Sequence, residues 1–383
     1  MISIKNWEKK CLDNLFSFHG GLGISREQLG DKGIPYLHYG DMHKGTFSSV
    51  SYNDYTALPK YNIKINGDED FLMKDGDVVF LDASEDLTGT SRCVVIDNPD
   101  NKPFIAGLHT FIARPLDNSL CKWYKKYFTQ TQDVQKQFER LSVGFKVYGV
   151  NRNSIKNIVV SFPSNIKEQQ RIAKILAKWD EAIGLQERLI EKLEIQKKGL
   201  MKKLLMPKKD WKENRIKNIF TITRGQVLST DNCNNSYKYP VYSSQTQNDG
   251  LMGYYKDYLY ENAITWTTDG ANAGEVKYRN GKFYCTNVCG VLLNTEGYAN
   301  ECFAYLLNSV AKKYVSFVGN PKLMNNVMGE IKISYPPIIT QQKISNIYSK
   351  LLENIKLHSQ KLELFKKQRK ALMQLLLTGT VRV

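Results

Sequence analysis

The chain has 383 residues, 42% hydrophobic and 11% aromatic, a composition that suits a folded protein of two domains plus something extended rather than one core. No apolar run approaches the roughly 18 residues of a membrane span, the first residues carry no signal-peptide core, and seven Cys at irregular spacing argue against a disulfide framework, so a cytoplasmic protein is expected. The net charge of +16 with pI near 9.3 favours a polyanionic partner, nucleic acid being the commonest.

Residues 1–162 read as a first globular segment. Short β-branched and aromatic runs (Ile34-Pro35-Tyr36, Val78-Val79-Phe80, Val94-Val95-Ile96) alternate with Gly, Asn and Asp turns. A helical patch is predicted at 119–141, and a strand at 155–160 runs into Pro163, which ends it and leads into a helix. That helix fills 163–206. Its apolar residues recur at steps of four and three, which is the heptad period of a coiled coil.

Residues 207–337 form a second globular segment that retraces the first. Trp7, Leu12, Asn14, Phe16, Gly21 and Ser25 are answered by Trp211, Ile216, Asn218, Phe220, Gly225 and Ser229, and both segments close on a Gly-containing loop (Gly144, Gly319), a strand and a Pro. Residues 338–383 then repeat the helix. Positions 341–377 match 169–205 without a gap, with about 15 identities in about 37 positions, far above chance for an internal comparison. By count the charge is about +1, +4, +4 and +7 over 1–162, 163–206, 207–337 and 338–383, so the basic excess lies on the helices and the second globule. A solvated helix face accounts for part of it without a ligand.

The expected fold is α+β: two mixed α/β globules joined by two long antiparallel coiled-coil helices, with an internal pseudo-twofold repeat. A helix of about 37 residues is roughly 55 Å long, and one apolar stripe cannot stay in water. The seam of Ile172, Trp179, Ile183, Leu193 and Leu200 is expected to bury itself on Ile344, Leu351, Ile355, Phe365 and Leu372. Polar residues interrupt both seams at matched places, Gln186 with His358 and Lys197 with Arg369. They serve either register control or simple snorkelling at the seam's edge. Two inverted modules at fixed spacing suit a split, roughly inverted target on duplex DNA.

These residues resemble the specificity subunit of type I restriction-modification enzymes over nearly the whole chain. The resemblance rests on the turn into each long helix (Pro163, Glu168, Gln169, Gln170, Ile172; Pro336, Pro337, Gln341, Gln342, Ile344) and on the Gln-Lys-Lys-Gly-Leu-Met ending of the first helix. It rests also on Tyr239-Pro240-Val241-Tyr242-Ser243-Ser244 followed by Gly250, Gly253, Tyr254 and Tyr255. Ser164, Thr340 and the Ser244-Gln245 turn depart from the family pattern. The first globule lacks the Tyr-Pro-Val-Tyr signature and is placed by position and by its two ends. The resemblance implies two target recognition domains (1–162 and 207–337), each reading half of a bipartite DNA target, and two spacer helices (163–206 and 338–383) that bind two methyltransferase subunits. Restriction subunits would join through that complex. It implies no catalytic centre and no cofactor here; S-adenosylmethionine, ATP and Mg would belong to partner subunits.

The residues themselves agree with that absence. No Gly-x-x-x-x-Gly-Lys-Ser/Thr loop, no Gly-x-Gly-x-x-Gly turn and no Pro-Pro pair in a methyltransferase context is present. His38, Asp41 and His43 could chelate a metal, as could Cys285, Cys289 and Cys302, but lone clusters are common and small buried hydrophobes are the default for such thiols; no metal is expected. Polar loops are the natural DNA readers, with Arg favouring guanine and Asn or Gln adenine. The second globule offers Arg224, Gln226, Ser243, Ser244, Gln245, Thr246, Gln247, Asn248, Asn272, Lys277, Tyr278 and Arg279; the first offers Lys44, Arg92, Lys102 and His109. Cations among them are expected to hold phosphates more than to read bases, and ordinary turn roles compete at each position. Trp7 and Trp211 are expected to be core anchors. A coiled-coil scaffold that never reads DNA, a self-contained nuclease or methyltransferase, and a specificity subunit serving a methyltransferase without a restriction partner are the alternatives. Paired, loop-rich globules count against the first and the missing motifs against the second.

Overall fold

The runs Val78–Leu81 and Cys93–Asp97 are apolar almost throughout, and such short continuous runs form strands covered on both faces. In the computed structural model, which describes residues 6–44, 49–51, 58–65, 67, 69–84, 91–144, 148–244 and 247–383, they lie inside a five-stranded sheet. Its order is Phe16–Gly20, Thr110–Pro115, Val78–Leu81, Cys93–Asp97, Ser49–Ser51. Side chains alternate across it. Val78, Phe80, Val95, Phe111 and Ala113 join one core with Tyr124, Phe128 and Phe138, while Val79, Leu81, Val94, Ile96 and Ile112 join a second with Met42, Met73 and Phe104. This sheet belongs to a unit made of residues 1–185 and 362–383. A ribbon of Trp7–Cys11 against Val159–Pro163 brings the start and end of the globule together.

The second unit, residues 186–361, contains a six-stranded sheet in the order Thr221–Arg224, Cys289–Leu293, Tyr260–Thr267, Val276–Cys285, Tyr239–Tyr242, Leu251–Tyr255. Helix Glu301–Ala311, capped by the Asn300 side chain on Phe303 N, packs on it through Phe303, Leu306 and Leu307. The ribbon recurs as Lys212–Arg215 against Lys332–Tyr335.

Two long helices, Ile166–Leu204 and Ile338–Leu377, run through these units. Within the first unit the opening turns of one meet the closing turns of the other, antiparallel. Ile172, Ala173 and Leu176 share a core with Met373, Leu376 and Leu377, Trp179 meets Phe365 edge-on at 5.8 Å, and Arg369 Nε donates to Asp180 at 2.9 Å. Within the second unit the roles are exchanged: Met201 and Leu204 of the first helix pack with Ile344 and Tyr348 of the second. Each helix start is bolted to its globule by a fully buried amide. Gln169 accepts from Cys121 N at 2.7 Å and donates to the carbonyls of Ser119 and Pro163 at 2.8 Å. Gln341 donates to Pro336 O and accepts from Asn300 Nδ2, both at 2.8 Å. A buried amide left without such partners would cost about 1–3 kcal/mol, which is a physical reason for Gln at the repeated position.

Two expectations change here. Ile172 and Ile344 lie in cores that their globule shares with the other helix, and Leu372 packs against the first core. A side chain at the seam position sees a globule wherever the helix lies on one. The first polar interruption is not snorkelling. Gln186 is buried and its Nε2 meets His358 Nδ1 at 2.7 Å and His358 O at 2.9 Å. Lys197 pairs with Glu194 along its own helix. Ile183, Leu193, Leu200 and Leu351 are half-buried and Ile355 is buried, as a seam requires. Trp211 packs on the second core; Trp7 is half-buried.

Candidate nucleic-acid interface

In the second unit four segments meet at one end of the sheet. The first is the turn after Thr221–Arg224. Gly225 is obligatory there: a Cβ would fall 2.3 Å from the carbonyl oxygens of Cys285 and Thr286. Arg224 donates from Nη2 to Asp269 Oδ2 at 3.2 Å and Thr268 Oγ1 at 3.1 Å, and Gln226 is exposed. The second is the loop 243–250, closed by Ser243 N donating to Gly250 O at 2.9 Å and held by Thr286 Oγ1 on Ser243 Oγ at 3.1 Å. The third is the turn 268–275, whose Asn272 Nδ2 donates to Ser244 O at 3.0 Å. The fourth, absent from the sequence-based candidates, is a hairpin at 316–322, in which Ser316 and Lys322 exchange both backbone hydrogen bonds at 2.9 Å. It is tied to the third by Gly270 N on Pro321 O at 2.9 Å and Leu323 N on Thr268 O at 2.8 Å.

The cations of this surface are largely committed to the protein itself. Asn248 (φ 49, ψ 38) and Asp249 (φ 58, ψ 27) are consecutive left-handed residues, a conformation Asn and Asp tolerate better than most. Arg279 holds them there, with Nη1 on Asp249 Oδ2 at 2.7 Å and Nη2 on Asp249 O at 3.0 Å. Its guanidinium lies 3.7 Å over the Tyr242 ring and donates to Thr265 Oγ1 at 3.2 Å. Lys277 pairs with the same Asp249 carboxylate and with Glu275. Arg279 is only 7% exposed, withdrawn from solvent behind the loop that it positions. Tyr278 points the other way, onto the core, where burial raises its phenol. Arg224, Gln226, Ser243, Ser244, Asn248, Asn272 and Lys277 do share one surface. Gln245 and Thr246 lie outside the described residues, and so does the Gln247 side chain. Burial pushes the Cys289 thiol up to about 11 and Cys285 higher still, as expected of small apolar side chains.

The first unit builds the same end from different residues. Gly21 occupies the place of Gly225, its Cβ position 2.2 Å from Gly107 O. Ile34–Leu37 pairs in parallel with Ile105–Ala106 as Tyr239–Tyr242 does with the end of Val276–Cys285. Gly107 N donates to Leu37 O at 2.9 Å as Thr286 N does to Tyr242 O at 2.9 Å. So Ile34-Pro35-Tyr36-Leu37 is the counterpart of Tyr239-Pro240-Val241-Tyr242, and the first globule does carry that element. The shared Pro in second place is the one signal the sequence offers for it. The strand leads into a helix, Tyr39–Lys44, in place of the loop 243–250.

At this end His109 (φ 58) meets Asp82 Oδ1 at 2.9 Å and the edge of Tyr39 at 5.3 Å, and an open cleft of about 850 Å³ runs past them to Arg152. His38 is buried beneath Tyr39. Its Nδ1 accepts from Gly40 N at 3.0 Å, and burial, then Arg26, holds its pKa below the usual value. Arg92 precedes Cys93–Asp97 at the same end as His109, while Lys102 follows that strand at the opposite end, beside Asp100 at 3.2 Å. Lys102 therefore leaves the candidate surface: a strand's two flanks are separated by its length. The Lys44 and His43 side chains lie outside the described residues. Among the described residues no cluster of His, Cys, Asp and Glu is placed to hold a metal ion.

Two sheets that present equivalent loop clusters, each fused to a stretch of paired long helices, define a duplicated recognition subunit. The chain matches the type I restriction modification DNA specificity domain over residues 4–195 and 208–366, and it belongs to that family. A Mycoplasma pneumoniae protein named as a type I specificity subunit, S.MpnORF289P N-terminus, is 44% identical over 140 residues, 36% of this chain and 75% of that protein. A second, S.MpnORF365P, is 35% identical over 202 residues, 50% of this chain and 75% of that one. The fold is similar to the crystal structure of a type I restriction-modification S subunit from M. genitalium, with TM-score 0.64 and 20% identity over 97% of this chain and 96% of that one. A chain from a study of type I R-M complex assembly and conformational transition superposes at TM-score 0.59 with 11% identity, covering 98% and 99%. The chain is thus a DNA-specificity subunit and not itself an enzyme. Among the described residues no helix is long and apolar enough to cross a membrane.

Proposed function

We propose that this subunit reads a bipartite sequence in double-stranded DNA, one half through each globule, for a type I restriction-modification complex in the cytoplasm. The long helices space the two readers and dock two methyltransferase subunits, through which restriction subunits join. S-adenosylmethionine, ATP and Mg are used by those partners. The observation that carries the reading is the repetition of one loop-presenting end in two globules that share backbone hydrogen bonds but not side chains. A scaffold has no need of two differently dressed copies of one surface. The net charge of +16 supports a polyanionic partner.

The test is co-expression with a type I methyltransferase subunit from the same source, followed by mapping of methylated adenines across the host genome. Two short half-sites around a fixed unspecified spacer are expected. A stable, active complex that methylates without a split motif would overturn the reading.

A further inference from the structure

The four most exposed large apolar side chains among the described residues are Val318 (92%), Val227 (79%), Val143 (78%) and Phe317 (72%). None is scattered. Phe317 and Val318 form the tip of the hairpin 316–322, with Gly319 at φ +74 turning the chain behind them. Val227 follows Gln226 in the turn of Arg224. Val143 opens a segment of the first unit whose described ends pair as those of 316–322 do. Val143 and Gly149 exchange backbone hydrogen bonds at 3.0 and 2.8 Å, as Ser316 and Lys322 do, and Val150 N donates to Asp82 O at 2.8 Å as Leu323 N does to Thr268 O. The base of the hairpin is thus built twice, with Val143 in the place of Ser316.

The surroundings select the occupant. Between Glu301 and Glu330 the chain has no carboxylate, and Lys312, Lys313 and Lys322 are exposed around the hairpin. Asp269 lies 4.0 Å from Lys322 and is already engaged by Arg224. An apolar tip ringed by cations, beside loops of Gln, Asn and Ser, suits the edge of a nucleic-acid duplex, where apolar side chains enter between base pairs and lysines meet the flanking phosphates.

We propose that Phe317 and Val318 form a wedge that inserts at a base step of duplex DNA bordering the second globule's half-site and partly unstacks it. This rests on the function proposed above and adds to it a deformation of the target. Positions flanking the read bases would then be selected by how easily they unstack, pyrimidine–purine steps being the most pliable.

The experiment uses the complete subunit with its methyltransferase partners and target duplexes carrying 2-aminopurine at successive positions in and beside the half-site, excluding the methylated adenine. Wild-type complex is expected to raise fluorescence at one step. The double variant Phe317→Ser with Val318→Ser is expected to lose that rise and at least tenfold in target affinity, with the same salt slope and the same assembly with partners. Phe317→Leu with Val318→Ile should restore the signal. A wild-type complex that binds its target with no rise at any position overturns the wedge alone. So does a serine variant that keeps the rise, or one that fails to assemble with its partners, which would make the hairpin a protein dock. A wild-type complex that selects no DNA sequence overturns the proposed function and the wedge with it.

Discussion

Arg279 shows how a cation beside a candidate reading loop can be committed elsewhere. Its guanidinium is stacked on Tyr242 and shared between Thr265 and both the side chain and backbone of Asp249. Read from sequence, Lys277-Tyr278-Arg279 is a basic stretch whose loss should lower both affinity and salt slope. In the folded chain, Arg279→Met should leave the salt slope unchanged, because no counterion is released at a buried side chain. It should instead free two left-handed residues and lower affinity for the correct second half-site about tenfold or more, with non-specific affinity unaltered. Titrations of matched and scrambled duplexes at several salt concentrations check this, and a changed slope would return Arg279 to the phosphates. The polar loop itself is legible from composition. Its neutralisation is not, since Asp249 folds over residues about thirty positions away, a pairing no local pattern encodes.

At the scale of elements, the period of three and four makes both long helices legible, and the shift between copies reveals their kinship. Periodicity marks Ile172 and Ile344 as seam residues but cannot tell that a globule shares the same core. Nor can it tell that the matched interruptions Gln186 and His358 face each other. That contact is expected to fix register, because one step of slippage leaves a buried amide unpaired. Gln186→Leu and His358→Leu should each destabilise the protein by about 1–2 kcal/mol, and the double variant by less than their sum. Denaturation of the four proteins closes the cycle; strict additivity would deny the pair any role. The element in the first globule equivalent to Tyr239–Tyr242 is hidden at the level of sequence because its side chains differ and only its Pro and its hydrogen bonds are shared. The hairpins are half-visible as the loops of Gly144 and Gly319, but the exposure of the apolar tip of 316–322 is not written in composition.

For the molecule as a whole, composition and the repeat indicate two readers on helical supports, and the family comparison agrees. Which half of the target each globule reads is written in loops that share a frame and little else. Exchanging residues 207–337 for the corresponding segment of another family member should change one half-site, leaving the other half and the spacer length as they were. Mapping methylated adenines in cells carrying the exchanged subunit measures all three at once, and a change in both halves would refute independent reading.

The two sheets also differ in how they fill one shared spot. In the first, Phe80 lies opposite Phe111, the rings stacked at 5.5 Å. In the second the equivalent pair is Trp266 and Gly290, with the indole occupying the room a Cβ on Gly290 would need. A strand traded alone between the copies would bring Trp against Phe, or Phe against Gly, giving an overfilled or a hollow core. Each half of this pair is thus fitted to the other strand of its own sheet. A crossover within the helix-coding stretches, whose gap-free repeat is where the two halves align most readily, would keep each such pair together.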